Sequence, residues 1–330
     1  MGCVMVAGGA GYIGSHAVRE LRRAGRCVAV LDNLSTGHRA AVEGAEFLEA
    51  DIRDTDAVYE ALKAYEAEAV MHFAADSRVG ESQVDPEKYY GNNVCGTFSL
   101  LSAMRRAGVN RLVFSSTAAV YGDAKGLITE EYPKRPANVY GRTKWMIEQM
   151  LADFDAAYGL KAVALRYFNA AGADPEGGIG EDHRPETHLI PLVLRAAVNR
   201  EPLTVFGDDY PTRDGTCVRD YIHVEDLVEA HVRVMEALEP GDARVYNLGI
   251  GRGYSVREII DAAERVVGMP LTGARGPRRP GDPPSLYADA SKIERELGWR
   301  ARRTDIEEII RSAYRWFQEH PRGYESSRSK

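Results

Sequence analysis

Short apolar runs alternate with longer stretches in which apolar residues recur every three or four positions. Cys3-Val4-Met5-Val6-Ala7, Cys27-Val28-Ala29-Val30-Leu31, Phe47 to Ala50, Ala69 to Ala75, Arg111-Leu112-Val113-Phe114 and Ala162 to Asn169 are too short and too uniformly apolar for half-exposed helices. They read as strands buried on both faces. Between them, Ser15–Ala24, Asp56–Ala67, Asp85–Ala107 and a segment beginning at Tyr140 carry helical spacing. Strands alternating with helices predict an α/β chain with a Rossmann-type, doubly wound parallel sheet. After Asn169 the composition shifts. Residues 173–188 are rich in Gly, Pro, Asp, Glu and His and read as a long loop, and shorter elements follow (Leu189–Asn199, Leu203–Gly207, Glu225–Leu238). The division is therefore residues 1–169 as a nucleotide-binding domain and 170–330 as a smaller α/β substrate domain. Val245–Gly249 returns to the first sheet within a segment near 220–249, and 323–330 is a frayed tail.

The helix after Tyr140 is apolar over an unusual width. Trp145, Met146, Ile147, Met150, Leu151 and Phe154 span an arc of about 240°, against ~100° for a helix buried on one side. The extra width fits a second packing surface, either a partner chain or the second domain. With a partner, the Asp85–Ala107 and Tyr140–Tyr158 helices would form the contact of a homodimer.

Composition narrows the function classes. The 330 residues include 42 basic and 49 acidic side chains, well mixed, for a net charge of −7, and 44% hydrophobic residues. Nothing in that balance suits nucleic acid. No apolar run approaches the ~20 residues of a membrane span, and the start, Met1-Gly2-Cys3-Val4, has no basic segment. A cytoplasmic protein is expected. Cys3, Cys27, Cys95 and Cys217 are far apart without ligand spacing, and three of them read as reduced core thiols. His183 and His188 lie near acids, but the spacing shows no metal-ligand pattern, and no metal is expected. His72 reads as a core histidine.

The chemistry begins at Gly8-Gly9-Ala10-Gly11-Tyr12-Ile13-Gly14, between a strand and a helix. That context lets backbone approach a pyrophosphate and aims a helix N-terminus at it. Asp32 ends the second strand about 20 residues on, where a carboxylate takes ribose hydroxyls and repels a 2′-phosphate. This favours NAD over NADP. Asn33, Leu34 and Ser35 should flank the adenosine, with Asp51 at the adenine edge. Asn92 lies on a helix face near the cofactor. Tyr140 and Lys144 are four apart, on one helix face. A tyrosine titrates near ~10, and lowering it by about three units needs roughly 4 kcal/mol, which a lysine and a cationic cofactor ring could supply. Spacing alone is weak: Tyr59 and Lys63 repeat it on a polar helix that reads as a solvated face. Tyr140 differs in following a buried strand that ends in Ser115-Ser116-Thr117, where a hydroxyl can bind a substrate oxygen.

Over about residues 2–320 the chain resembles the extended short-chain dehydrogenase/reductase family, and within it the branch that epimerises UDP-sugars at carbon 4. The resemblance rests on the glycine loop with Ser15-His16, Leu31-Asp32-Asn33-Leu34, His72-Phe73-Ala74-Ala75, Asn92-Asn93-Val94, Thr117 with Val120-Tyr121-Gly122, Tyr140-Gly141-Arg142-Thr143-Lys144 and Arg166-Tyr167-Phe168-Asn169. Phe206-Gly207-Asp208-Asp209-Tyr210-Pro211-Thr212, Arg219-Asp220-Tyr221-Ile222-His223-Val224 and Arg279-Pro280-Gly281-Asp282 complete it. It implies NAD-dependent, reversible oxidation at sugar C4 that interconverts UDP-glucose and UDP-galactose. Tyr140 would be the acid/base. Lys144 would hold the nicotinamide ribose and lower the tyrosine pKa, and Thr117 would bond the sugar 4-oxygen. Gly8, Gly11, Tyr12, Ile13, Gly14, Ile52, Phe73, Ala74, Ala75, Ser115 and Tyr167 would join Asp32, Asn33, Leu34, Asp51 and Asn92 around NAD. Asn169, His188, Leu189, Thr204, Phe206, Arg219, Tyr221, Arg279, Asp282 and Leu286 would line the UDP-sugar pocket, the arginines on the diphosphate. Leu286, four past Asp282, stands where relatives restricted to plain hexoses carry Tyr; smaller residues accompany N-acetylated sugars. The chain departs from the pattern at Ala7 (usually Thr), Ser77 (Lys in some relatives) and His188 (Asn in some). Related dehydratases and decarboxylases keep an acid just after the hydroxyl residue; here Ala118-Ala119 follow Thr117, which favours simple reversal over elimination. A pentose-directed epimerase and a non-enzymatic NAD-binding regulator are the other readings; intact Thr117, Tyr140 and Lys144 oppose the second.

Overall fold

The computed structural model describes residues 2–238, 243–278 and 283–328. Its centre is a seven-stranded sheet in the order Ala243–Leu248, Lys161–Tyr167, Arg111–Ser115, Ala67–His72, Cys3–Ala7, Val28–Asp32, Glu46–Glu49. Every pairing in it is parallel. Val4, Val6, Val28 and Val30 face one apolar layer, while Met5, Ala7, Ala29 and Leu31 face the other. That two-sided burial is why these strands are apolar at every position rather than at alternate ones. The helices Tyr12–Arg23 and Val224–Glu236 cover one face; Thr55–Ala64, Gly96–Ala107 and Val139–Tyr158 cover the other. The strand order reverses between Cys3–Ala7 and Ala67–His72, so a crevice opens beyond their carboxyl ends.

The chain leaves this sheet at Phe168. Asn169–Ala171 pairs in parallel with Tyr221–His223, and these strands bridge to a second apolar cluster built on the helices Leu189–Asn199, Val256–Val267 and Ile306–Glu319. Buried Asp220 accepts N–H bonds from Ile250 (3.0 Å), Gly251 (3.2 Å) and Ala288 (3.1 Å), which ties strand Ser285–Ala288 to the end of strand Ala243–Leu248. Burial pushes its carboxyl up to about 7 against those donors.

Several expectations are corrected. The Asp85–Ala107 helix contains a wide π-type turn over Tyr90–Cys95, between Pro86–Tyr89 and Gly96–Ala107. Asn93 is buried in that turn and donates to Asp76 O (3.0 Å) and Thr143 Oγ1 (3.1 Å), which offsets the irregular backbone. Cys3 and Cys27 are not separate thiols. The register Val4↔Val28 sets them side by side, Cα atoms 4.5 Å apart, joined in a disulfide. Cys95 is exposed rather than in the core. The tail is held at its start: Tyr324, in the turn Gly323–Arg328, is buried, donates to Gly180 O (3.0 Å), stacks on His38 and lies against the Trp316 ring. His72 is a core histidine, with Nε2 2.8 Å from Thr97 Oγ1, and burial pushes its pKa down to about 3. No helix among the described residues is long and apolar enough to cross a membrane.

Candidate active site

The glycine loop is fixed by contact across the crevice. Gly8 has φ +76°, and a Cβ there would lie 2.4 Å from Ala74 N; one on Gly14 would lie 2.1 Å from Gly8 O. Only glycine allows the loop after the first strand to touch the loop after the fourth. The helix Tyr12–Arg23 starts from Gly11 without a side-chain cap, so its first N–H groups face the crevice unclaimed, a ready seat for a pyrophosphate. Beside it is a small cavity of about 70 Å³, lined by Gly8, Gly11, Asp32, Asn33, Ile52, Phe73, Ala74, Ala75 and Asn92. The Asp32 carboxylate accepts from Ala10 N (2.9 Å) and Leu34 N (2.8 Å), and burial pushes its pKa up against those two donors. Two of the expected contacts fall outside this lining. Leu34 turns back (φ 56°) to give its N–H to Asp32. Asp51 is engaged by Arg53 (Nε 2.9 Å, Nη2 2.8 Å) and Asn33 (2.9 Å), and the Arg53 bonds hold its carboxyl well below the usual range. A carboxylate with open lone pairs at one end, a glycine-only cradle in the middle and a hydroxyl–lysine group at the other end together fit NAD.

The hydroxyl–lysine group lies in a second, larger cavity of about 410 Å³ that shares Gly8, Gly11, Phe73 and Ala75 with the first and adds Tyr12, Ile13, Gly14, Ser115, Thr117, Tyr140, Lys144 and Tyr167. The helix Val139–Tyr158 is set by Asn138, whose side chain accepts from Gly141 N (2.8 Å). A Cβ on Gly141 would reach 2.5 Å from Ala119 O, so the helix start is pressed onto the turn after Thr117. That brings Tyr140 to Thr117, and their hydroxyl bond favours the phenolate. Lys144 is buried and donates to Ser115 O at 2.7 Å; Ser115 Oγ in turn bonds the Tyr167 hydroxyl. One turn on, Glu148 accepts from Arg166 Nε (2.9 Å) inside the protein, and Arg166 donates to the Tyr121 hydroxyl (2.8 Å). This ion pair locks the helix to the sheet and was not legible in the sequence.

The expected lowering of the Tyr140 pKa by Lys144 is absent from the protein alone. Burial pushes Tyr140 up to about 12, and only the Thr117 bond opposes it. Lys144 is itself pushed down to about 7 by burial, and its Nζ is 5.9 Å from the Tyr140 ring centre. Its reduced charge and its distance are the physical reasons. A further positive group beside both residues is needed to make Tyr140 a base at neutral pH.

Of the expected sugar-side residues, Thr117, Asn169, His188, Arg219 and Leu286 line the larger cavity. Asn169 Nδ2 donates to Asp220 O (2.9 Å), and Arg219 Nη1 donates to Pro283 O (2.7 Å). Leu189 and Tyr221 are instead drawn into the apolar cluster of the second half. Thr204 and Phe206 are the exposed positions of strand Leu203–Phe206, which pairs with Gly273–Gly276, and do not line the cavity. Arg279 and Asp282 lie outside the described residues. The cavity also takes in Asp76, Arg78, Asn138, His183 and Arg184. Asn138 was detectable as a helix cap; the others sit in loops with no periodic signal.

Residues 4–249 match the NAD dependent epimerase/dehydratase family. The chain belongs to that family. It is 52% identical over 326 residues to the UDP-glucose 4-epimerase of Lactobacillus helveticus, spanning 98% of this chain and 99% of that protein. Two solved structures from the family are similar throughout. UDP-glucose 4-epimerase from Brucella ovis in complex with NAD is 50% identical with a TM-score of 0.92, over 95% of this chain and 98% of that one. UDP-glucose 4-epimerase from Bifidobacterium longum in complex with NAD+ and UDP is 41% identical with a TM-score of 0.93, over 97% and 99%. The doubly wound sheet is thus an epimerase-family fold, and its crevice is where that family's NAD-dependent chemistry belongs.

Proposed function

We propose that this chain interconverts UDP-glucose and UDP-galactose by reversible oxidation at sugar carbon 4, with NAD as cofactor. The observation that carries the reading is the pairing of the Thr117 and Tyr140 hydroxyls beside Lys144 in a cavity continuous with the glycine loop, with Ala118 and Ala119 on the adjoining wall. NAD, when bound, supplies the reversible hydride acceptor. The protein's own groups do the rest. Tyr140 Oη removes the proton from the 4-hydroxyl and returns it, Thr117 Oγ1 holds that oxygen, and Lys144 keeps its place through Ser115 O. Arg219 faces the diphosphate, where a guanidinium fits two oxygens at once. The 4-keto sugar has to present its other face before reduction. The small side chains of Ala118 and Ala119 leave the ring few polar anchors on that wall, whereas an acid placed there would promote elimination.

In this reading residues 1–169, with the return segment near 220–249, hold NAD, and 170–330 hold the UDP-sugar. The enzyme is a cytoplasmic homodimer. Support for the dimer comes from Phe98, Met146 and Tyr158, which remain exposed on the two helices expected to pair, with Phe98 and Tyr158 both edge-on to Phe154. The N-acetylated pair is a second substrate. Leu286 is on the cavity wall in register with Arg219, and it brings no phenol toward the sugar.

Incubation of purified protein with UDP-galactose, followed by proton NMR, tests the main reading. UDP-glucose should accumulate to a fixed ratio without loss of water or carbon dioxide. A dehydrated or decarboxylated sugar, or no turnover, overturns it. With UDP-N-acetylgalactosamine, turnover should be measurable and should fall selectively in Leu286→Tyr.

A further inference from the structure

The loop ahead of the Leu189–Asn199 helix gathers four donor atoms at the edge of the larger cavity, where Glu181, His183 and His188 form part of its wall. Glu181, His183, Glu186 and His188 each turn one ligand-type atom to a common point, all within 4.8 Å of one another. His183 Nδ1 is 3.1 Å from Glu181 Oε1 and 3.7 Å from Glu186 Oε2. His188 Nδ1 is 2.8 Å from Glu181 Oε1 and 3.0 Å from Glu186 Oε1. Both imidazoles aim the same ring nitrogen inward. Four donors about 2.1 Å from a tetrahedral ion stand about 3.4 Å apart; the histidine-to-carboxylate separations, taken to Glu181 Oε1 and to one or the other Glu186 oxygen, scatter about that edge, and the full set, spread over up to 4.8 Å, has to draw in slightly around an ion.

Burial argues the same way. The Glu181 and Glu186 carboxylates are 6% and 8% exposed, and among the described residues the ion pairs recorded for them run to these two histidines. No lysine or arginine offers them a permanent charge in those pairs. Two buried carboxylates in one place need two positive charges; protonated His183 and His188 supply them in the metal-free protein, and one divalent ion held by the neutral imidazoles supplies the same charge. Mixed imidazole and carboxylate donors suit zinc-like transition ions rather than magnesium or calcium, which prefer all-oxygen sets. We propose that Glu181, His183, Glu186 and His188 form a four-coordinate site for a divalent transition-metal ion of the zinc class.

With four protein donors the ion has no open position, so it braces rather than catalyses. What it braces is the cavity wall. Thr187 and His188 line the cavity, and the His183 ring meets the Tyr12 ring edge-on at 6.3 Å, so the loop bears on the first residue of the helix that faces the pyrophosphate seat. The sequence hid this because a spacing of two, three and two residues is neither a helical nor a hairpin ligand pattern; only the folded loop closes it.

Tag-free wild-type protein, chelated, dialysed and shown to be folded by circular dichroism, is titrated with Co2+ as the probe. One equivalent per chain should bind with the intense visible bands of a four-coordinate site, and one equivalent of Zn2+ should displace it. His183→Asn with Glu186→Gln should weaken Co2+ binding by about 100-fold or more, with circular dichroism unchanged. Failure of folded wild type to bind one Co2+, weak six-coordinate bands, or unchanged binding in the double variant overturns the site. If the double variant does not fold, the wild-type stoichiometry and spectrum decide alone.

Discussion

The chain carries the spacing Tyr-x-x-x-Lys twice, in two environments. At Tyr59 and Lys63, on the helix Thr55–Ala64, the lysine is exposed and the tyrosine half-buried, its ring covered by the Arg106 guanidinium at 4.5 Å. At Tyr140 and Lys144, on the helix Val139–Tyr158, the lysine is buried, donates to a strand-end carbonyl, and shares a cavity with Thr117. Local geometry is the same in both; what surrounds it differs. Water reaches the first pair. Removal of water from the second pushes the phenol up to about 12 and the ammonium down to about 7, so both groups are out of their usual states and sensitive to any charge brought beside them. Four-residue spacing therefore supplies a face, and burial beside a strand end turns that face into a site.

Substitutions can separate the pairs. Tyr140→Phe should cut kcat by about 10³-fold or more while NAD stays bound, since only the proton carrier goes; Tyr59→Phe should stay within about twofold. Steady-state rates with UDP-galactose measure both, and full activity in Tyr140→Phe would place the base elsewhere. Lys144→Met should lower turnover by about 10²-fold yet stabilise the NAD-free protein by about 1–3 kcal/mol at pH 7, because a desolvated ammonium is replaced by an apolar chain of similar size. The sign follows from the lowered pKa. Between pH 7 and about 10.4 the unfolded chain binds the proton that the folded chain has released, so wild-type stability rises with pH across that window. The gap between variant and wild type should be full at and below pH 7 and close toward pH 10. Thermal melts at several pH values test this.

Acids give the same contrast. Asp32 is buried at the cavity end, whereas Asp56 is an exposed partner of Arg106 (2.7 Å). Asp32→Ala should weaken NAD about tenfold to 100-fold and relax the rejection of NADP, and Asp56→Ala should leave both unchanged; cofactor titration by calorimetry distinguishes them. The smallest change sharpens the tyrosine comparison itself. Thr117→Ala removes the one bond that lowers Tyr140, so the rising limb of the pH–rate profile should move to higher pH, with about tenfold lost at neutral pH. Thr117→Ser should restore the wild-type profile; if it fails as badly as Ala, Thr117 acts by packing.

Much of the site was readable because its signals are local. The glycine loop, Asp32 at the second strand end, and a hydroxyl run ending a buried strand are each contiguous, and each has a physical reason to be composed as it is. Contacts between distant segments were not readable. The Arg53 and Asn33 partners of Asp51 were not readable, nor was the drawing of Leu189 and Tyr221 toward the core of the second half. Tyr324, Cys3–Cys27 and the Glu148–Arg166 pair likewise depend on partners that no spacing announces.

Sequence alone determined the strand–helix alternation, the parallel sheet, the glycine loop between strand and helix, and the placing of Tyr140 and Lys144 on one helix face. Periodicity, glycine placement and burial preference act over a few residues and survive without knowledge of the fold. Tertiary structure alone decided the charge states of Tyr140 and Lys144, the placing of Leu286 on the cavity wall, and the convergence of Glu181, His183, Glu186 and His188. Those properties come from desolvation and from distances across loops, which exist only once segments far apart in the chain have excluded water from between them.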